Sequence, residues 1–93
     1  MKIARSIDEV RGAVREARSA GKRIGFVPTM GYLHDGHLSL VEISRSKTDF
    51  QVMSIFVNRL QFNDKNDFVN YPKDLERDMA MAEKIGVDLL FMP

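Results

Sequence analysis

The chain has 93 residues, 44% hydrophobic and 29% charged, enough for one small domain or a piece of a larger one. Fourteen Lys and Arg stand against 13 Asp and Glu, and a net charge of +1 gives no electrostatic ground for nucleic acid or a membrane surface. With no cysteine, disulfides and thiolate metal sites are excluded, which suits a reducing cytoplasm.

Met1 to Gly12 carries early positive charge with no apolar run behind it, so no secretory signal is expected. No apolar run approaches the ~20 residues that span a bilayer. Lys2 to Ala4 is a short candidate strand. Ser6 to Glu9 has the S-x-x-E form of a capping box, and Ile7, Val10, Val14 and Ala17 follow at helical spacing. That predicts an amphipathic helix over 7–20, stopped by Gly21, with Arg11, Arg15 and Arg18 on its solvated face. Arg23 to Pro28 is short, apolar and partly β-branched, and reads as a buried strand. A bend, TMGYLHDG, comes next. From His37 the pattern predicts a helix with Leu38, Leu40, Val41 and Ile43 on a broad apolar face.

Phe50 to Val57 reads as a second buried strand, followed by a long polar stretch that opens with Asn58 and contains Gln61. Pro72 suits the first turn of another helix, with Leu75, Met79, Ala82 and Ile85 on its buried face and Gly86 at its end. Met53, Met79 and Met81 read as core filling. Val87 to Phe91 is a third strand. Alternating strands and helices imply an α/β fold, a Rossmann-like parallel sheet with flanking helices. The chain stops soon after its last strand, so a truncated open-sheet domain is expected. In such sheets ligands sit beyond the carboxyl ends of the strands, where the bend and the polar stretch both fall.

The bend holds the only two histidines, His34 and His37, with Gly31 and Gly36 beside them. A helix opening at Gly36–His37 would aim unpaired amides and a positive dipole end at the strand tips, a site suited to phosphate. Two imidazoles would add donors without a permanent charge. A plain surface turn with incidental histidines stays open. So does metal ligation, although the spacing is not that of H-E-x-x-H and Asp35 is the one adjacent carboxylate. Neither a P-loop nor a G-x-G-x-x-G fingerprint is present. Pro28 and Thr29 read as turn-shaping residues.

The segments FVPTMGYLHDGHLSLV, SIFVNRLQF, YPKDLERD and GVDLLFMP together resemble the amino-terminal third of the pantoate–β-alanine ligase family. The HxGH element alone is shared with a wider nucleotidyltransferase superfamily; the combination is more specific. The resemblance implies a cytoplasmic, usually homodimeric enzyme of coenzyme A biosynthesis. It joins pantoate to β-alanine with ATP and Mg2+ through a pantoyl adenylate, with no nucleic acid or membrane partner. It also implies that residues 1–93 are the amino-terminal part of an ATP- and pantoate-binding domain.

By position, Met30, Gly31, Tyr32, Leu33, His34, Asp35, Gly36 and His37 would form the ATP-binding bend, with His37 and His34 catalytic. Gln61, Asn58 and Met30 would contact pantoate or β-alanine, and no metal ligand is implied. Arg59 stands where the family usually has proline, which would loosen the turn presenting Gln61. Later ATP-binding loops and a second pantoate glutamine have no counterpart, so the fragment alone should be largely inactive. Two alternatives stand beside this reading: another HxGH nucleotidyltransferase, and a non-catalytic nucleotide-binding or dimerising fragment.

Overall fold

The computed structural model describes residues 1–57 and 74–93. The elements are β1 (Lys2–Ala4), α1 (Ile7–Ser19), β2 (Ile24–Thr29), α2 (Asp35–Lys47), β3 (Phe50–Ile55), α3 (Leu75–Ile85) and β4 (Leu89–Phe91). The strands pair in parallel in the order β1-β4-β3-β2, which is the Rossmann-like α/β sheet expected. β3 is central and buried from Gln51 to Ile55, and its Val52 and Met53 point to opposite faces. Met53, with Val27 and Leu90, packs under Leu33 and Val41 and under Ala82 of α3. Val52 and Leu89 pack under Ala13 of α1, so helices cover both faces.

Local signals place the helix ends. Ser6 caps α1 by accepting the Glu9 N–H at 3.2 Å, as the S-x-x-E pattern predicts. Gly86 ends α3 in the left-handed conformation that spares glycine a steric penalty. The α1 arginines are solvated as expected, and Met53 is core, with Met79 and Met81 packed against it.

Several burial expectations are corrected by position in the sheet. β2 is an edge strand rather than a buried one: Gly25, Val27 and Thr29 point inward, whereas Phe26 is 59% exposed. α1 turns Ala13 and Ala17 to the sheet and leaves Ile7 exposed. In α2 only Val41 is buried; Leu38 is half-buried, and Leu40 and Ile43 are exposed. The sheet below α2 ends at β2, so only a narrow stripe of that helix meets a partner. α3 leaves Leu75 exposed and buries Asp78 instead. Among the described residues no helix is long and apolar enough to cross a membrane.

Candidate functional site

Thr29 brings the chain to the carboxyl end of the sheet. Its buried hydroxyl donates to the Ser54 carbonyl at 2.9 Å and accepts the Gly31 N–H at 3.1 Å, so it ties the turn to β3. Gly31 takes φ of +87°, and a Cβ there would meet Ile55 Cγ2 at 3.0 Å and Asp78 Oδ2 at 3.2 Å. Dihedral and space both favour glycine. Tyr32 follows with φ of 52°, a left-handed conformation that costs a non-glycine residue about 1–2 kcal/mol. Two hydrogen bonds oppose that cost. Asp78 Oδ2 accepts the Tyr32 N–H and Oδ1 accepts the Leu33 N–H, each at 2.8 Å. Leu33 is fully buried and pins the bend to the core.

α2 starts at Asp35, two residues earlier than the apolar pattern indicates, because His34 serves as its N-cap. His34 Nδ1 accepts the Gly36 N–H at 3.0 Å, and His37 Nδ1 accepts the His34 N–H at 3.1 Å. The rings lie 4.1 Å apart, centroid to centroid, tilted by 40°. With both Nδ1 atoms accepting, each neutral ring carries its proton on Nε2. Gly36 permits this fold-back, since a Cβ would stand 2.7 Å from His34 Cε1.

The expectation of bare amides gripping phosphate is corrected for every amide of the bend from Gly31 to Leu38 except that of Asp35. The Tyr32 and Leu33 amides are held by Asp78, the Gly36 amide by His34, and the His37 and Leu38 amides by the His34 carbonyl. The donors left over at this helix end are the Asp35 N–H and the two Nε2–H groups, with the positive end of the α2 dipole behind them.

His37 is held below the ordinary histidine value of 6.5, chiefly by burial, next by its His34 neighbour; Asp78 opposes the shift. A neutral imidazole at neutral pH can therefore donate from Nε2 without a full charge. Arg77 lies over the Tyr32 ring at 5.4 Å and comes within 3.9 Å of Asp78, which places a permanent cation beside the bend.

At the strand tips is a cleft of about 230 Å³, lined by Met30, Gly31 and Tyr32 after β2, Phe56 and Val57 after β3, and Asp78 of α3. Neither histidine lines it; both sit at the opening of α2, and Asp35 is exposed there. The structure thus splits the expected bend into a cleft wall (Met30–Tyr32) and a donor pair (His34, His37), with Leu33 as the core anchor between them. Asn58, Arg59 and Gln61, and Tyr71 to Lys73, lie outside the described residues.

Sequence reasoning missed Asp78 and Arg77. The available signal was a carboxylate in register with Leu75 and Ala82 on the apolar stripe of α3, where an acidic residue needs partners to be buried.

The sequence profile of the pantoate–β-alanine ligase family matches residues 2–93. The chain is 58% identical over all 93 residues to a Brucella anthropi pantothenate synthetase and 52% identical to one from Acetivibrio thermocellus. It covers 32% and 33% of those proteins, so it spans about a third of the length of the curated relatives it matches. Among solved structures, a Francisella tularensis pantoate–β-alanine ligase complexed with beta-gamma ATP and β-alanine matches the whole chain with a TM-score of 0.90 at 43% identity, over 35% of its own length. Pantothenate synthetase from Thermus thermophilus matches with a TM-score of 0.80 at 49% identity, over 32% of its length. By this profile match, together with the identities along its whole length, the chain belongs to the pantoate–β-alanine ligase family.

Proposed function

We propose that this chain supplies the ATP-facing wall of a pantoate–β-alanine ligase, as the amino-terminal part of its Rossmann-type ATP- and pantoate-binding domain. The observation that carries the reading is the pair of imidazoles whose Nδ1 atoms are occupied and whose Nε2–H groups are left to donate, at the carboxyl end of a parallel sheet. Family membership supports the substrates, and the Francisella relative was solved complexed with beta-gamma ATP and β-alanine.

In the first step a pantoate carboxylate oxygen attacks the α-phosphorus of ATP. A P–O bond forms to give pantoyl adenylate, and the bond to the β-phosphate breaks to release pyrophosphate. Negative charge then grows on the departing phosphate oxygens. His37 and His34 meet it with Nε2–H groups fixed before the reaction, and preorganised donors of this kind lower the barrier. In the second step the β-alanine amine attacks the acyl carbon. The amide bond forms, AMP leaves with the electron pair of the broken C–O bond, and the amine loses a proton.

Met30 and Gly31 bound the cleft in which pantoate would lie, and Gln61 and Asn58 would complete its hydrogen bonds. Mg2+ would arrive on the triphosphate. Among the described residues no three His, Cys, Asp or Glu side chains cluster to hold an ion, and both Asp78 oxygens accept backbone amides. A cytoplasmic homodimer is part of the same proposal and is read by sedimentation of the longer protein.

Two experiments test the reading. ATP titrated into the 93-residue chain is expected to move the side-chain signals of His34 and His37; unmoved signals at millimolar ATP favour the non-catalytic alternative. In a protein of the relatives' full length, pantoate-dependent ATP–pyrophosphate exchange is expected. Exchange that answers only to another acid or phosphate ester would assign the bend to a different nucleotidyltransferase.

A further inference from the structure

Asp78 is 1% exposed and lies on a helix remote in sequence from the bend, yet both its oxygens end on bend amides. A buried carboxylate is retained where its charge is matched, and here the match is two short N–H bonds plus a guanidinium 3.9 Å away. Its partners are not arbitrary. One is the amide of Tyr32, the single described non-glycine residue with positive φ; the other belongs to Leu33, which immediately precedes the capping histidine. Moving Tyr32 out of the left-handed region would redirect the chain at Leu33 and pull His34 away from Gly36 and His37. Asp78 stands in the wall of the cleft, but each of its oxygens already accepts a bend amide, so its carboxylate is engaged with the turn.

We propose that Asp78 is a positioning residue for adenylation: by binding the Tyr32 and Leu33 amides, its carboxylate holds the left-handed turn that sets the two imidazoles side by side. The proposal rests on the nucleotide-binding reading for its consequence, but its geometric core does not need ATP. α3 thereby controls the donor pair without contributing to it.

The test uses the 93-residue chain, its Asp78→Asn variant and the Tyr32→Gly, Asp78→Asn double variant. Amide exchange and histidine side-chain nitrogen shifts are read first without ligand. In Asp78→Asn the Tyr32 and Leu33 amides are expected to exchange about tenfold faster or more, while amides of α1 and the sheet keep their protection. The histidine nitrogens should lose their single-tautomer pattern. The ATP titration midpoint should rise on the order of tenfold. Glycine at position 32 adopts the left-handed turn unaided, so the double variant should recover most of the histidine pattern.

An Asp78→Asn chain with an unchanged histidine pattern would overturn the proposal and leave Asp78 a purely structural residue. So would a general loss of protection that glycine at position 32 does not repair. If ATP leaves the parent chain's imidazoles unmoved, the nucleotide reading fails separately, and the ligand-free histidine pattern still decides the role of Asp78.

Discussion

The amino ends of α1 and α2 are built to one plan and end in different chemistry. At both, the residue before the first helical turn accepts a backbone N–H: Ser6 from Glu9 and His34 from Gly36. The serine hydroxyl is a single small group, and it is absorbed by the local network with Glu9. An imidazole has a second nitrogen on the far side of its ring. When Nδ1 caps the helix, Nε2–H is left facing away from the backbone, on a ring the helix itself holds still. A histidine cap thus keeps a donor directed away from the backbone, whereas the Ser6 hydroxyl donates to the neighbouring Glu9 carboxylate. His37 repeats the device by accepting the His34 N–H, so two such donors stand together.

The sharpest way to break this comparison is to remove one donor while His34 still caps Gly36, at the cost of freeing the His34 N–H. In a full-length protein, His37→Ala is expected to slow pantoate-dependent ATP–pyrophosphate exchange ~10²–10³-fold, as the loss of a preorganised donor does. Exchange within a few-fold of normal would take His37 out of the mechanism. Crowding the ring comes next. Gly36→Ala places a Cβ 2.7 Å from His34 Cε1, so the cap must open. Loss of the cap should cost about 1 kcal/mol in a thermal or urea melt, together with the ATP response of both rings. Ser6→Ala should cost a similar amount, about 1 kcal/mol, and leave that response intact. Equal effects of the two substitutions on ATP binding would erase the distinction between the caps.

Acid offers a milder perturbation. The pKa of His37 is lowered in the folded chain, mainly by burial, so below 6.5 the unfolded chain binds more protons there. Its contribution to stability is complete above 6.5 and is lost as the pH falls through the folded value. Asp49 is lowered chiefly by the Arg23 backbone N–H, so it acts in a separate, more acidic window, present above 3.8 and lost below. Urea melts from pH 7 to 5 should therefore show a decline that His37→Ala reduces. The smallest effect concerns the far side of α2. Leu40→Lys should change stability by only about 0.5 kcal/mol or less, since that side chain is exposed. A loss above about 2 kcal/mol would mean that Leu40 is packed after all.

Legibility varied with how local the cause was. The capping serine of α1, the left-handed Gly86, the alternation of strands and helices and the core role of Met53 all follow from short-range rules, and each appears in the structure. Burial was harder to read. Leu40, Ile43, Ile7 and Phe26 are apolar and correctly spaced, yet exposed, because periodicity shows which residues share a face and not how wide a partner that face will meet. The bend was legible as a special place, from its glycines and paired histidines, but its donors were misassigned. Amides taken to be bare are, except for that of Asp35, satisfied by other groups, chiefly His34 and Asp78, the latter more than forty residues away in the chain.

Taken alone, the order of residues settled what local forces settle: which segments extend, which coil, where helices begin and stop, and that both imidazoles fall at a strand-to-helix turn. Folding in three dimensions decided the rest. It made β2 an edge, narrowed the contact of α2, and carried a carboxylate on α3 across to the turn after β2. The reason is that charge burial and ring orientation depend on groups brought together by the sheet, and no spacing rule along one strand or helix encodes a partner on another.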